Sequence, residues 1–182
     1  INDFFPNAAQ SGVLLVNGAK NEDNYALSEA NADGTYTIFC HDNSANTDTY
    51  ENDPVGFVYI PVSKIGTDGL AAMGRINGDT TADVSAGVFT VTKGGTGQWY
   101  LTIPGQTPDT GTLIISAPGG ETYNLDNIVN AGWDAANQRW IIESRDMSGT
   151  KGANPALQNI SGKEDVFSFA FFSKVAFNIP PA

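Results

Sequence analysis

From position 165 to 173 the chain reads Asp-Val-Phe-Ser-Phe-Ala-Phe-Phe-Ser, with Phe167, Phe169 and Phe171 at every second position. In an extended backbone these rings project from one face, with Ser168 and Ala170 on the other, whereas a helix would scatter them around its cylinder. Three rings on one face require a cover. Burying each removes roughly 150–250 Å² from water, which at about 25 cal/mol per Å² is worth several kcal/mol before entropy is charged. The pattern therefore predicts a core strand.

The same reading places strands at 11–16, 35–41, 55–60, 70–76, 87–92, 98–103, 112–116, 139–143 and 166–173. Asn17-Gly18, Asn77-Gly-Asp79 and Lys93-Gly-Gly-Thr-Gly97 supply turn chemistry between them, the last joining 87–92 to 98–103 as a hairpin. Residues 21–30 read as a helical turn stopped by Asn-Ala-Asp-Gly at 31–34, and Met73-Gly74 as a bend or bulge. The fold class predicted is all-β: a jelly-roll-like antiparallel β-sandwich with an internal duplication of a strand set. One domain covers 1–182, in two similar halves at about 1–66 and 70–182.

The halves rest on a repeat. Ser11-Gly-Val-Leu-Leu-Val16 matches Thr110-Gly-Thr-Leu-Ile-Ile115 at a spacing of 99 residues, 21–24 matches 124–127 at 103, 35–42 matches 139–146 at 104, and 56–60 matches 168–172 at 112. The order is kept and the spacing grows only where loops lie. The second half has an extra hairpin within 84–105, while the first has only an apolar tail before Ser11. An open strand edge is therefore expected in the first half, to be filled by a tail or by a neighbouring subunit. Phe4, Phe5, Val175, Phe177 and Ile179 are the expected assembly contacts.

Charge narrows the partners. Nine Lys and Arg stand against twenty Asp and Glu, a formal charge of −11, so the surface repels phosphate backbones and anionic lipid. No apolar run approaches the roughly 20 residues of a spanning helix, and no membrane insertion is expected. The chain begins at Ile1, which suggests either a removed targeting segment or an excised piece. Cys40 is the only cysteine, which excludes an intrachain disulfide. Low Lys and Cys with abundant Gly, Asn, Asp and Thr point to an extracellular, cell-surface or virion-surface location.

Candidate chemistry is sparse. Cys40 and His41 adjoin on a strand, so they point to opposite faces and cannot act as nucleophile and base. Cys40 reads as a buried, inert thiol and His41 as a surface residue at a strand end. Neither a Gly-x-Ser-x-Gly elbow nor a His-Glu-x-x-His pair occurs, and no enzyme is expected. Asp42, Asp48, Glu51 and Asp53 gather oxygens within twelve residues; calcium is the ion they would take, and no other cofactor is expected. The repeated Asn-x-Asp-Asn at 21–24 and 124–127 reads as Asx turns. Trp99 and Trp140 share faces with aliphatic residues and read as core. Tyr50, Tyr100, Tyr123 and Trp133 remain as loop or outer-face rings suited to stacking on a glycan.

Gly-Gln-Trp-Tyr-Leu-Thr-Ile-Pro at 97–104, Gly-Thr-Leu-Ile-Ile at 111–115, Trp-Ile-Ile-Glu-Ser-Arg-Asp at 140–146 and Asp-Val-Phe-Ser-Phe-Ala-Phe at 165–171 together resemble β-sandwich modules of large secreted or surface proteins from environmental bacteria. The resemblance spans about 88–173 and implies a fold and a setting, with no defined activity. The leading expectation is a non-catalytic structural or adhesive building block, acting through strand edges and apolar termini on copies of itself or on a surface protein. The alternative is a carbohydrate-binding accessory module, calcium-assisted.

Overall fold

The computed structural model describes residues 7–18, 25–42, 49–50, 52–119, 127–147, 156–160, 162 and 164–174. A single helical turn, α1 (Ala8–Ser11), leads into β1 (Gly12–Asn17), β2 (Tyr25–Ala30), β3 (Tyr36–Asp42), β4 (Thr49–Tyr50) and β5 (Gly56–Pro61). After a 3-10 turn at Val62–Lys64 come β6 (Leu70–Asn77), β7 (Ala82–Gly87), β8 (Thr90–Lys93), β9 (Gln98–Thr102) and β10 (Gly111–Ser116). The remaining strands are β11 (Asn127–Asp134), β12 (Arg139–Asp146), β13 (Ala156–Leu157) and β14 (Asp165–Ser173).

The chain is all-β, and its ladders are antiparallel. They form sheets in the orders β10-β14-β6-β7, β11-β12-β9-β8 with β13 beside β12, β1-β5, and β2-β3-β4. Val13 of β1 lies opposite Ile60 of β5, and Thr112 of β10 opposite Phe172 of β14. Tyr25 of β2 lies opposite His41 of β3, and Ile128 of β11 opposite Arg145 of β12.

β14 is the strand on which the interior is built. Phe167, Phe169 and Phe171 are fully buried in one cluster with Trp99 and Leu101 of β9 and Trp140 and Ile142 of β12. Phe171 meets Trp140 with ring centres 5.4 Å apart, and Phe89 stands edge-on to Phe169 at 4.9 Å. The opposite face of the same sheet is also covered: Ala170, Met73, Leu70 and Val84 pack against Val13, Leu15 and Ile60 of the β1-β5 ladder. Gly74 lets two rings in, since a Cβ there would lie 3.0 Å from both Phe169 and Phe89.

Several expectations need correction. Tyr25–Ala30 is a strand and not a helical turn; its Ala, Leu and Glu favour a helix weakly, but full pairing with β3 overrides that preference. The β7 and β11 strands were not expected, and the run 87–92 is broken. Gly87 has φ 81° and a Cβ there would strike the Ala71 carbonyl, so the chain leaves the β6 ladder at Gly87 and joins β9 from Thr90. Met73 and Gly74 stay in register with both neighbours. The irregularities fall at Arg75/Ile76 against β7, and at Asp165/Phe167 and Phe171/Phe172 on β14.

Candidate functional site

β5 is one apolar run, Gly-Phe-Val-Tyr-Ile-Pro. It pairs with β1 along one edge, and among the described residues no strand pairs with the other. Its two ends differ. At the Pro61 end Ile60 is buried in the β1-β5 interface, and the Tyr59 hydroxyl donates to the Ala8 carbonyl at 3.0 Å. At the Gly56 end Phe57 is 54% exposed and Val58 48% exposed, although neighbours on a strand point to opposite faces. Among the described residues that end is bare on both faces and along one edge.

Ile114 of β10, 41% exposed, completes a patch with these two. Phe57, Val58 and Ile114 border a groove of about 380 Å³ floored by Leu15, Val16 and Ile115. β10 is itself the outer strand of its sheet among the described residues. Five large apolar side chains are exposed among the described residues, and three of them meet here, so the exposure is clustered and not scattered. The positions 112 residues further on give the contrast: Phe169 and Ala170 are fully buried, because β6 pairs with the second edge of β14 and Phe89 caps the ring.

A second cluster is ionic. Arg75, 8% exposed, places Nε 3.4 Å from Asp165 and Nη2 3.5 Å from Asp83, and reaches the Tyr36 hydroxyl at 3.5 Å. Burial pushes the Asp165 carboxyl up to about 6; the guanidinium opposes that rise, while Asp83 and Glu29 add to it. Burial likewise pushes Tyr36 up to about 12, with Arg75 pulling the other way. Arg75 is committed to two carboxylates and a hydroxyl, an arrangement that ties β6, β7, β14 and β3 together.

Among the described residues, those singled out from sequence are dispersed. Phe4, Phe5, Val175, Phe177, Ile179, Tyr123, Asp48 and Glu51 lie outside the described residues. Asp42 is held in the β3-β4 ladder opposite Thr49, while Asp53 is partly buried in the segment before β5. Among the described residues no three His, Cys, Asp or Glu side chains converge to hold a metal ion.

Tyr50 is 50% exposed and leans on Phe39 and His41. Tyr100 lies opposite Ile141, which lies opposite Gly132, and the Arg139 guanidinium covers its ring at 3.5 Å. Trp133 is not an outer-face ring. It lies opposite Trp140, which lies opposite the buried Leu101, and meets Trp140 edge-on at 4.6 Å. Tyr100 and Trp133 thus point to opposite faces of one sheet.

His41 is also corrected: it is buried, stacked on Tyr25 with ring centres 5.1 Å apart. Of the two Asn-x-Asp-Asn stretches, 21–24 and 124–126 lie outside the described residues, and Asn127 donates across the hairpin to Ser144 Oγ at 2.9 Å. Cys40 is buried, as expected. What the sequence reading passed over is the pair Phe57 and Val58. The available signal was the unbroken apolar run of β5, which differs from the alternation of a strand with one wet face. Compared with protein families, curated proteins and solved structures, the chain matches none.

Proposed function

We propose that this chain is a non-catalytic structural or adhesive building block of an extracellular or virion assembly, acting through its strand edges and apolar ends. The groove between β5 and β10 carries this reading. A solitary edge strand is normally blunted by charge, proline or a bulge; residues 56–59 have none of these, and Pro61 sits at the covered end. The lining side chains are uncharged in a chain of net charge −11, so this is where two copies meet with least repulsion. The partner is a further copy or a surface protein.

The four sheets are read as one β-sandwich domain with a duplicated strand set. The spacings of 99 and 112 carry the pair Val13–Ile60 onto Thr112–Phe172, and those of 103 and 104 carry Tyr25–His41 onto Ile128–Arg145. Partner and register are kept in each case. Gly12 and Gly111 occupy matching places, each beneath a ring of the paired strand, Tyr59 in one half and Phe171 in the other. Among the described residues the ladder that β6 adds to β14 has no counterpart on β5, which leaves the latter's edge open there. A carbohydrate-binding role, with calcium, is the weaker reading because Tyr100 and Trp133 do not share a face.

Light scattering over a concentration series tests the proposal. The expected result is a mass that rises with concentration for the native chain and stays at that of one copy for Val58→Lys, which puts a charge on the bare edge. A native chain that remains a single copy at its highest soluble concentration overturns self-assembly.

A further inference from the structure

We infer that the strand completing the β5 edge is segment 175–179 of a second copy, laid into the groove between β5 and β10; the inference rests on the assembly reading above. The segment reads Val-Ala-Phe-Asn-Ile and is followed by Pro180-Pro181. Extended, it sets Val175, Phe177 and Ile179 on one face, and the prolines end its ability to donate to a ladder. It carries no charge, and neither do Leu15, Val16, Phe57, Val58, Ile114 and Ile115 in the groove. Neutral meets neutral between two strongly acidic bodies.

The register of β14 decides whose segment it is. Ile114 lies opposite Ala170 and Ile115 opposite Phe169, so the groove sits level with the middle of β14. The chain runs on through Ser173, opposite Gly111, and the Lys174 amide still bonds the Thr110 carbonyl at 2.7 Å. At roughly 3.3 Å per residue it leaves about 13 Å beyond the level of Ala170, heading away from Phe57 and Val58.

Five residues span at most roughly 17 Å, and a reversal consumes two to four of them. The segment of the same copy cannot turn back and still lay three apolar side chains along residues 56–58. A neighbour's segment arrives without that constraint. Each copy then donates one segment and accepts another, a head-to-tail contact that closes a ring or extends a filament.

Four proteins and two probes test this: the native chain, a chain ending at Lys174, the variants Phe177→Asp and Val58→Lys, and a labelled synthetic peptide of residues 173–181 with and without Phe177→Asp. Circular dichroism and melting first establish that the shortened chain is folded; Phe177→Asp, which alters only the donor, serves if it is not. The expected result is that the shortened chain and both variants stay single copies where the native chain assembles. The peptide should bind the shortened chain, with affinity reduced more than about tenfold by Phe177→Asp in the peptide or Val58→Lys in the protein.

A shortened chain that assembles as well as the native one, while Val58→Lys does not, leaves the edge reading standing and overturns the donor assignment. Assembly untouched by either change overturns both. A native chain that stays a single copy while its shortened form binds the peptide puts the segment on its own chain and overturns the exchange.

Discussion

Arg75 Nε lies 3.4 Å from the carboxylate of Asp165, which is almost withdrawn from solvent. Burial raises the Asp165 carboxyl from 3.8 to about 6, the guanidinium offsets part of this, and Asp83 and Glu29 work with the burial. A folded-state value above the unfolded one means that the protonated form favours folding. The contribution is complete below the unfolded value and is lost as pH rises through about 6. Relative to Asp165→Asn, the native protein should therefore lose on the order of 3 kcal/mol between about pH 4 and about pH 7. Urea denaturation of both proteins across that window measures the difference, and a flat difference refutes the assignment.

Removing the cation should do the reverse of relieving the site. Arg75→Met leaves Asp165 buried without its counter-charge, and such breakage costs about 3–5 kcal/mol at neutral pH. Without the guanidinium the Asp165 carboxyl rises further, so the loss should shrink as pH falls towards about 6 and be small below it, where Asp165 is protonated in both proteins. Denaturant midpoints at the two ends of the range check both statements; a loss independent of pH would assign the effect to packing alone.

Phe171 and Phe57 are both rings on strands, in opposite circumstances. Phe171 is fully buried against Trp140, so Phe171→Ala should cost about 3–5 kcal/mol. Phe57 is 54% exposed, so Phe57→Ala should change the stability of the single copy by less than about 1 kcal/mol while weakening assembly. Thermal melts at low concentration, paired with light scattering at high concentration, separate the two effects.

Strands with one buried and one wetter face were readable because their rings and aliphatics alternate: Trp99, Leu101, Trp140 and Ile142 fell to the core side on period alone. β2 was hidden because Ala26, Leu27, Glu29 and Ala30 are helix formers, and nothing local announces the pairing with β3 that fixes them. β11 was hidden because exposed Asn130, Ala131 and Gly132 interrupt its apolar pattern. Had that strand been recognised, the short turn between Asp134 and Arg139 would have set Trp133 opposite Trp140 and turned it inward. The open groove depends on which edges stay unpaired after folding, a long-range property that local pattern does not carry.

Gly12 and Gly111 offer a test of the repeat at the level of packing. Added methyl groups would meet the Ile60 carbonyl and Tyr59 in one half, and the Phe172 carbonyl and Phe171 in the other. Gly12→Ala and Gly111→Ala should each destabilise by about 1–3 kcal/mol, as overpacking does. Equal costs in chemical denaturation fit two copies of one arrangement. A neutral Gly12→Ala beside a damaging Gly111→Ala would break the equivalence.

The double burial of β14 also bears on how the molecule comes into being. Its partner β6 lies some ninety residues upstream, and ladders between such distant stretches form slowly. Until Asp165–Ser173 has emerged from the ribosome, Trp99 and Trp140 on one side and Met73 and Val84 on the other lack the strand that seals them. A nascent chain that has not yet released these residues therefore leaves apolar faces of both layers uncovered, the condition under which partly folded chains aggregate.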